Sequence, residues 1–329
     1  MAYLVTGGTG LVGSRIVRDL IEEGEQVVTC NPHPDRSFLE MLMGEDEIAG
    51  VKIVKGDLTD FEQMVNTVQK NNVDTIIHQA AIQGWADPAG AMEAVKAGGN
   101  PRLVAMVDAV GPINVFETAR LLGLKKVVWA SSSAVFTAGN YTEEYIPNDA
   151  PHYPMGLYGA SKSFGERAAD YYFNGFGMDI TAVRYGAFIY GAGQHGPGGF
   201  TKHIIQQLIL NPAQGELGKV PWGDSLIGWL YADDAARAAL LAVKHRRVKT
   251  GAFNIPGNLH PIREVADYIK ELIPDADIEV QPGALKGTSF KLDTSATEAE
   301  LGYYPQWTMR DAVKETVNLV RGQHGLPLV

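Results

Sequence analysis

The sequence predicts an α/β protein built on a doubly wound parallel sheet, with a smaller, discontinuous C-terminal lobe. Three features of the 329 residues predict this architecture. A glycine-rich turn follows the first short apolar run, strand-like and helix-like runs then alternate with short loops, and a Gly- and Pro-rich stretch begins at Gly186. Such alternation is typical of a parallel sheet that helices cover on both faces.

Short apolar runs predict the strands of this sheet. In chain order they are 2–6, 26–30, 51–55, 75–79, 126–131 and 179–185, with 227–231 and 252–255 as further layers of the same sheet. Between them, Thr59 and Glu62 are spaced as a capping box for one helix. Asn100 followed by Pro101 predicts the start of a long helix that ends near Gly123.

The first glycine-rich turn has the spacing of a phosphate cradle, because its glycines recur every three residues after a strand that ends at Thr6. In such a turn the first glycine allows a tight bend, the second lets the backbone approach a pyrophosphate, and the third lets the next helix pack on the strand. That helix directs its free N–H groups at the phosphates. A Rossmann-type dinucleotide site is therefore predicted at Gly7, Thr9, Gly10, Leu11, Val12 and Gly13.

The change of composition after the sixth strand predicts where the domains divide. We place the dinucleotide-binding domain at 1–185 and 225–256, and the substrate-binding lobe at 186–224 and 257–329. Ligands of doubly wound sheets bind in the crevice beyond the carboxyl ends of the strands. We therefore expect the substrate cleft to lie between the two parts.

Composition and charge exclude several function classes. The net charge is −10 and the basic run 244–247 suits the end of a helix, so nucleic acid is not an expected partner. The lone Cys30 cannot form an internal disulfide and is expected in the core. No apolar stretch reaches membrane-spanning length and no signal peptide precedes the first strand. We expect a cytoplasmic protein with no membrane partner and no metal site.

Tyr158 and Lys162 form the second informative element. Four residues apart on a helix, they lie on one face within side-chain contact. An ammonium held beside a phenol lowers the pKa of that phenol from about 10, so the tyrosine can exchange a proton with an alcohol while a hydride moves. Hydroxyls cluster at 131–133, where the preceding strand reaches the ligand crevice, and one of them can orient a substrate oxygen.

Several motifs in this order give the chain its resemblance to a known family. Besides the glycine turn, the serine run and the Tyr158 to Lys162 pair, they are Gly56-Asp57-Leu58, His78-Gln79-Ala80-Ala81, Arg184-Tyr185, Tyr231-Ala232-Asp233-Asp234 and Leu301-Gly302-Tyr303-Tyr304-Pro305. Over essentially its whole length the chain resembles an extended short-chain dehydrogenase/reductase of the NAD-dependent epimerase/dehydratase family.

The resemblance implies a role for each matching residue. Tyr158 would be the catalytic acid/base, Lys162 would bind the nicotinamide ribose and lower the tyrosine pKa, and Ser133 would hold the substrate oxygen. Four further residues would meet the adenine or line the cofactor path, namely Asp57, Leu58, Ala80 and Ala81. Members of this type are commonly homodimers joined through two helices, here about 100–122 and 155–173.

Two departures from the family pattern lie close to the predicted cofactor. Asn31 stands where a carboxylate would accept the adenosine ribose hydroxyls, and Arg36 nearby could attract a 2′-phosphate, so NAD and NADP both remain open. Asp108 stands where an asparagine is usual in the helix before the serine strand. It would support a structural water or proton path, or cap a local bend.

Two further departures bear on the substrate. No acidic residue follows Ser133, where dehydratases of the family carry carboxyl groups, so dehydration is not expected. Relatives that bind nucleotide-diphosphate sugars grip the diphosphate with an asparagine and an arginine, and neither occurs in 184–191 or 223–229 in the expected place. A desolvated diphosphate needs charge-assisted donors. Aromatic side chains would instead suit a less charged alcohol or ketone, namely Trp85, Phe136, Phe188, Phe200, Trp222 and Trp229.

These observations predict an NAD(P)-dependent dehydrogenase or reductase that interconverts a secondary alcohol and a ketone or aldehyde on a small, non-nucleotide substrate. The alternative is a nucleotide-diphosphate-sugar 4-epimerase, which would use Ser133, Tyr158 and Lys162 for a transient oxidation. The segment 83–99 would act as a substrate lid or form a surface excursion.

Overall fold

The computed structural model describes residues 1–82, 100–137, 140–142, 144–154, 156–186, 188–193, 200–285 and 291–329, without the side chain of Phe200. The candidate lid 83–99 and its Trp85 lie outside the described residues. In chain order the strands are β1 (Ala2–Thr6), β2 (Gln26–Asn31), β3 (Val51–Lys55), β4 (Thr75–His78), β5 (Lys126–Ser132), β6 (Tyr145–Ile146), β7 (Ile180–Tyr185), β8 (Phe188–Tyr190), β9 (Gly218–Val220), β10 (Leu226–Tyr231), β11 (Ala252–Ile255), β12 (Asn258–Pro261), β13 (Ile278–Val280) and β14 (Lys291–Leu292).

The α-helices of the described residues are α1 (Leu11–Glu22), α2 (Ser37–Leu42), α3 (Glu45–Ala49), α4 (Phe61–Lys70), α5 (Pro101–Ala105), α6 (Gly111–Leu122), α7 (Gly156–Phe176), α8 (Phe200–Ile205), α9 (Asn211–Ala213), α10 (Ala232–Lys244), α11 (Ile262–Leu272) and α12 (Met309–Gln323). A π-helical turn (Met106–Val110) joins α5 to α6. Among these helices, none is both long and apolar enough to cross a bilayer.

Seven parallel strands form the central sheet in the order β11-β7-β5-β4-β1-β2-β3. Its strands are buried on both faces: α1 and α10 pack on one, and α4, α6 and α7 on the other. The chain first builds outward from β1 to β3 and then returns to place β4 on the other side of β1. This reversal is a topological switch point, where doubly wound sheets bind their ligands. The predicted fold class is confirmed.

A second apolar core lies around a three-stranded sheet, and we call this part of the structure the smaller lobe. It includes β10, which lies within the segment 225–256 assigned from the sequence to the dinucleotide-binding domain, and the domain bounds stay a prediction. The three-stranded sheet β12-β10-β8 packs there with α11 and α12. The prediction that 227–231 belongs to the main sheet is wrong, because β10 pairs with β8 and β12 instead. Its apolar run is explained by Ile227 and Trp229, which are buried in the core of the smaller lobe. β11 does join the central sheet, beside β7.

Two predicted helix boundaries can be compared with the structure. Asn100 caps α5 by accepting the N–H groups of Arg102 and Leu103, and Gly123 ends α6 in a left-handed conformation with φ 68°. Both ends of the long helix are therefore confirmed. The predicted capping box at Thr59 is wrong: Asp60 caps α4 by accepting the N–H of Gln63.

Candidate active site

The glycine turn lies at the switch point and leaves no room for side chains. Gly7 has a φ of 71°, and a Cβ built on it would lie 2.9 Å from the backbone nitrogen of Ala80. A Cβ on Gly13 would collide with the carbonyl oxygen of Gly7, which accepts the N–H of Gly10 at 2.9 Å. The spacing predicted from the sequence is thus required by close backbone approach at both ends of the turn.

The first turn of α1 suits a bound phosphate. Gly10 is its N-cap and supplies no side-chain acceptor, and no acidic residue lies in the first turn. The N–H groups of that turn therefore have no side-chain acceptor among the described residues, and the helix dipole favours an anion in front of them. A glycine-lined cradle with free donors fits the pyrophosphate of a dinucleotide cofactor.

Asn31 and Arg36 lie where β2 leaves the sheet. The Asn31 Oδ1 atom is buried without a hydrogen-bond partner among the described residues, and can accept a ribose hydroxyl. The Arg36 side chain is half exposed and lies 3.5 Å from both Glu40 and Glu45. Two carboxylates beside this guanidinium offset its attraction for an added phosphate.

The other predicted cofactor residues take different positions around the turn. Ala80 is partly buried beside Gly7, and Ala81 is exposed. The Asp57 carboxylate accepts the N–H and hydroxyl of Thr59 at 2.9 and 2.8 Å, so its side chain serves the local turn. Leu58 packs into the core between the sheet and α6. The adenine contacts of Asp57 and Leu58 stay a prediction.

Tyr158 and Lys162 share one face of α7. The Lys162 Nζ atom lies 5.4 Å from the centre of the Tyr158 ring and donates to the carbonyl oxygen of Ala130 at 2.9 Å. The side chain is 1% exposed and also lies over the Trp129 ring. Burial lowers the pKa of Lys162, and the nearby Asp108 carboxylate opposes that effect.

The serine run ends β5 immediately beside this helix. Ser133 opens a 3-10 turn (Ser133–Val135), and the Ser132 hydroxyl caps it by accepting the N–H of Ala134. A Cβ on Gly159 would collide with the carbonyl oxygen of Ala134, so the helix residue after Tyr158 touches the turn that carries Ser133. The structure thus brings Ser133, Tyr158 and Lys162 together at the carboxyl edge of the sheet.

A buried ion pair fixes α7 against two strands. Glu166 follows Lys162 by one helical turn and accepts hydrogen bonds from Arg184 at 2.8 and 2.6 Å and from the Ser131 hydroxyl at 2.6 Å. Burial, the largest single cause, would raise the pKa of Glu166, but Arg184 together with His152 and the Ser131 hydroxyl outweighs it and holds this pKa below its usual range. Glu166 is not among the residues predicted from the sequence, although its spacing of four from Lys162 places it on the same helix face.

Two further buried groups lie near Lys162. Asp108, in the π turn, is fully buried, and its Oδ1 atom lies 3.8 Å from Lys162 Nζ. His78 ends β4, and its Nδ1 atom lies 2.6 Å from the Thr6 hydroxyl. Burial, together with the Lys162 charge, lowers the pKa of His78 to about 3, so its imidazole is neutral at working pH.

The aromatic residues proposed for the substrate divide into two groups. Trp229 is fully buried and donates its indole N–H to the carbonyl of His260, and Phe136 is buried beneath the Arg184 guanidinium. The expectation that these two suit the substrate is therefore wrong, since both belong to the core. Phe188 and Trp222 are partly buried. Among the described residues, no group of three or more His, Cys, Asp or Glu side chains could hold a metal.

Comparison with known proteins agrees with this geometry. The NAD dependent epimerase/dehydratase family matches residues 3–256. A putative UDP-glucose 4-epimerase of Methanocaldococcus jannaschii is 26% identical over 98% of this chain and 99% of its own. The dTDP-glucose 4,6-dehydratase of Haemophilus influenzae is 24% identical over 96% of this chain and 97% of its own.

Solved structures have the same fold along nearly the whole chain. The UDP-glucose 4-epimerase of Thermus thermophilus, solved with NAD, superposes with a TM-score of 0.78 at 25% identity, over 98% of this chain and 99% of its own. A monomeric L-threonine 3-dehydrogenase from a metagenome has a TM-score of 0.79 at 22% identity, over 98% and 99% of the two chains. Because the family match spans most of the chain and the sheet, glycine turn and Tyr-Lys pair agree with it, the protein belongs to the NAD-dependent epimerase/dehydratase family of extended short-chain dehydrogenase/reductase enzymes.

Proposed function

We propose that the protein is an NAD-dependent 4-epimerase of a nucleotide-diphosphate sugar. The convergence of Ser133, Tyr158 and Lys162 at the same edge of the central sheet as the glycine turn carries the proposal, since it supplies a proton acceptor where a bound dinucleotide would end. Two of the four relatives described above are named as UDP-glucose 4-epimerases, and they favour this reaction over the small, non-nucleotide substrate that we put first from the sequence. Their names support an epimerase without identifying the sugar.

The chain's own residues supply the proton chemistry. The Ser133 hydroxyl orients the substrate oxygen, and the Tyr158 phenolate takes the proton of that hydroxyl as the carbon–hydrogen bond breaks. The Lys162 ammonium, 5.4 Å from the phenol ring, favours the phenolate. When bound, the nicotinamide supplies the hydride acceptor and later the hydride donor. After the keto intermediate turns over, Tyr158 returns the proton and the other epimer forms.

We assign NAD as the cofactor. Asn31 presents a buried acceptor, and a 2′-hydroxyl satisfies it by donating a hydrogen bond. A 2′-phosphate has a second pKa of about 6, so at neutral pH it is mostly deprotonated and has no proton to donate. Arg36 shares its charge with Glu40 and Glu45. Both observations favour NAD over NADP, and the Thermus thermophilus relative was solved with NAD.

One observation favours a second candidate, net oxidation or reduction of a small alcohol or ketone. The strand that enters the smaller lobe carries no cation at 223–229, and Ile227 is 2% exposed within the apolar core. A diphosphate at that strand would lose hydration without gaining a charged donor there. A nucleotide sugar must therefore be held by groups elsewhere in the lobe.

Incubation with candidate substrates distinguishes the two. We expect purified protein to convert one UDP- or dTDP-hexose into its 4-epimer, detected by chromatography, with no net change in nicotinamide absorbance. The Tyr158→Phe variant is the matched control and should form no epimer. Stoichiometric reduction of added NAD by a simple alcohol, without epimer from any nucleotide sugar, would establish the second candidate and refute the first.

We also propose that the protein forms a homodimer through its two long helices. Large exposed apolar side chains recur at intervals of seven along α7, namely Leu157, Phe164 and Tyr171. The helical segment 101–122 of the same chain exposes Leu103, Val110 and Leu121. An exposed apolar stripe of this kind is typical of a protein interface. Analytical ultracentrifugation should give a dimer for the natural chain and a monomer for Phe164→Glu. A monomeric natural chain would refute it.

A further inference from the structure

Asp108 lies opposite the Lys162 ammonium inside the protein. The π turn places its Oδ1 atom 3.8 Å from Lys162 Nζ, and the same oxygen accepts the N–H of Ile82 at 3.1 Å. The Oδ2 atom is buried without a hydrogen-bond partner among the described residues. Burial raises the pKa of Asp108, and the Lys162 ammonium opposes that rise. A buried carboxylate with only one hydrogen bond is costly, so its place beside a buried ammonium requires an explanation.

The other charged groups around this pair are already balanced. Along α7, Glu166 is paired with Arg184 from β7 at 2.6 Å. On β4, His78 has a lowered pKa and is neutral. Burial likewise lowers the pKa of His152, which lies 3.5 Å from Glu166. Among the described residues, Asp108 is the one carboxylate within ion-pair distance of Lys162 Nζ.

We propose that Asp108 is a positioning residue for Lys162: its carboxylate is the counter-charge that holds the buried ammonium between the Ala130 carbonyl and the Tyr158 ring and offsets part of its field at the phenol. Without it, the ammonium would retain one carbonyl and two ring faces in a site that excludes water. The proposal rests on the acid/base role proposed for Tyr158. It adds that a neutral Asp–Lys pair, and not a lone cation, sets when that phenol ionises.

The sign of the effect follows from charge alone. Replacing Asp108 by asparagine removes a negative charge and so favours deprotonation of every neighbour, which lowers the pKa of both Tyr158 and Lys162. Lys162 Nζ lies 3.8 Å from Asp108 Oδ1 and 5.4 Å from the centre of the Tyr158 ring. The carboxylate oxygen is therefore at most about 9 Å from that ring centre. With an effective dielectric constant of about 20 to 40, the pKa of Tyr158 should fall by about 0.5–1.5 units.

Nuclear magnetic resonance can measure this without turnover. The chain has 13 tyrosines, and carbon-13 at Cζ reports the ionisation of each, with Tyr158 assigned from the Tyr158→Phe variant. At a fixed cofactor content, Asp108→Asn should lower the pKa of Tyr158 by at least about half a unit. Glu117→Gln on α6, whose carboxylate pairs with Arg120 away from Lys162, should leave it unchanged. An unchanged Tyr158 titration in folded Asp108→Asn overturns the proposal.

Activity gives a second readout of the same shift. Both limbs of the pH profile of kcat/KM should move to lower pH in Asp108→Asn, because the phenol and the ammonium both lose a negative neighbour. A variant that lowers kcat at every pH without moving either limb would indicate a merely structural role and overturn the proposal. Full activity in Tyr158→Phe would instead refute the proposed function while leaving the tyrosine titrations interpretable.

Stability keeps the proposal testable if Asp108→Asn does not fold. Lys162→Met leaves the Asp108 carboxylate buried without its counter-charge, whereas adding Asp108→Asn removes that charge as well. The double variant should therefore unfold at a higher urea concentration than Lys162→Met alone. If the double variant is no more stable than Lys162→Met, Asp108 does not act as the counter-charge.

Discussion

Glu166→Gln should destabilise the protein far more than its conservative shape suggests. The Glu166 and Arg184 side chains are 3% and 4% exposed, so water cannot solvate the guanidinium once its carboxylate partner is lost. In the wild type Arg184 donates to both Glu166 carboxylate oxygens, at 2.8 and 2.6 Å. Glutamine keeps one of these acceptors, and its NH2 group would place a donor against an Arg184 N–H. Arg184 would retain the Asn148 carbonyl at 2.6 Å without a carboxylate partner. Breaking a buried pair from one side costs about 3–5 kcal/mol of the free energy of unfolding.

Urea unfolding at neutral pH measures this loss, provided that the slope of the transition is the same in each variant. The matched control is Glu117→Gln, which breaks a partly exposed ion pair with Arg120 and keeps an amide oxygen that can accept the Tyr172 hydroxyl, so it should unfold near the wild-type midpoint. If Glu166→Gln lies within about 1 kcal/mol of the wild type, the claim that this carboxylate neutralises Arg184 is refuted.

The same pair predicts how stability depends on pH. The pKa of Glu166 is held low in the folded protein, chiefly by Arg184 acting against burial, so its contribution is complete above the unfolded value of about 4.3. It is lost as the pH falls through the lower folded value. The wild type should therefore lose its advantage over Glu166→Gln as the pH falls below about 4. If the difference in unfolding free energy between the wild type and Glu166→Gln stays constant as the pH falls below about 4, the assignment is contradicted.

Three further substitutions test the candidate site. Gly13→Ala should abolish NAD binding, measured by calorimetry, because its Cβ would collide with the Gly7 carbonyl oxygen; Gly322→Ala, with open space around its Cβ, should bind NAD normally. Tyr158→Phe should lower kcat by at least about a hundredfold and leave the Kd for NAD nearly unchanged, and wild-type turnover would exclude it as the acid/base. Arg36→Ala should not change the ratio of kcat/KM with NAD and NADP, and loss of NADP use would show that its guanidinium binds a 2′-phosphate.

Features that depend on short stretches of chain could be predicted from the sequence. The glycine turn is such a feature, since Gly7 and Gly13 meet within one strand-turn-helix unit. The Tyr158 to Lys162 contact is another, because helical spacing alone brings the two side chains to one face. The long helix is a third, with its cap at Asn100 and its glycine end at Gly123.

Features that depend on partners distant in the chain could not be predicted from the sequence. The apolar run of β10 has the same composition as a strand of the central sheet, and only its pairing with β8 and β12 places it in the smaller lobe. Asp108 and Lys162 lie far apart in the chain, Asp108 in the π turn and Lys162 on α7. A π turn has no sequence signature comparable to a helix cap, so their contact could not be predicted. Phe136 follows the serine run closely, yet it is buried in contact with Arg184.

The proposed function assigns reaction chemistry and substrate choice to different parts of this chain. It assigns proton transfer to groups from β5 and α7 at the edge of the central sheet, where side chains are buried and make short contacts. It assigns substrate choice to the smaller lobe, where Ile227 and Trp229 of β10 are buried in the apolar core. An arginine could not replace Ile227, because its charge would be buried without a partner in that core. If the substrate carries a diphosphate, the cations that bind it must come from another segment, and locating them will decide between epimerase and dehydrogenase more directly than further study of the tyrosine and lysine.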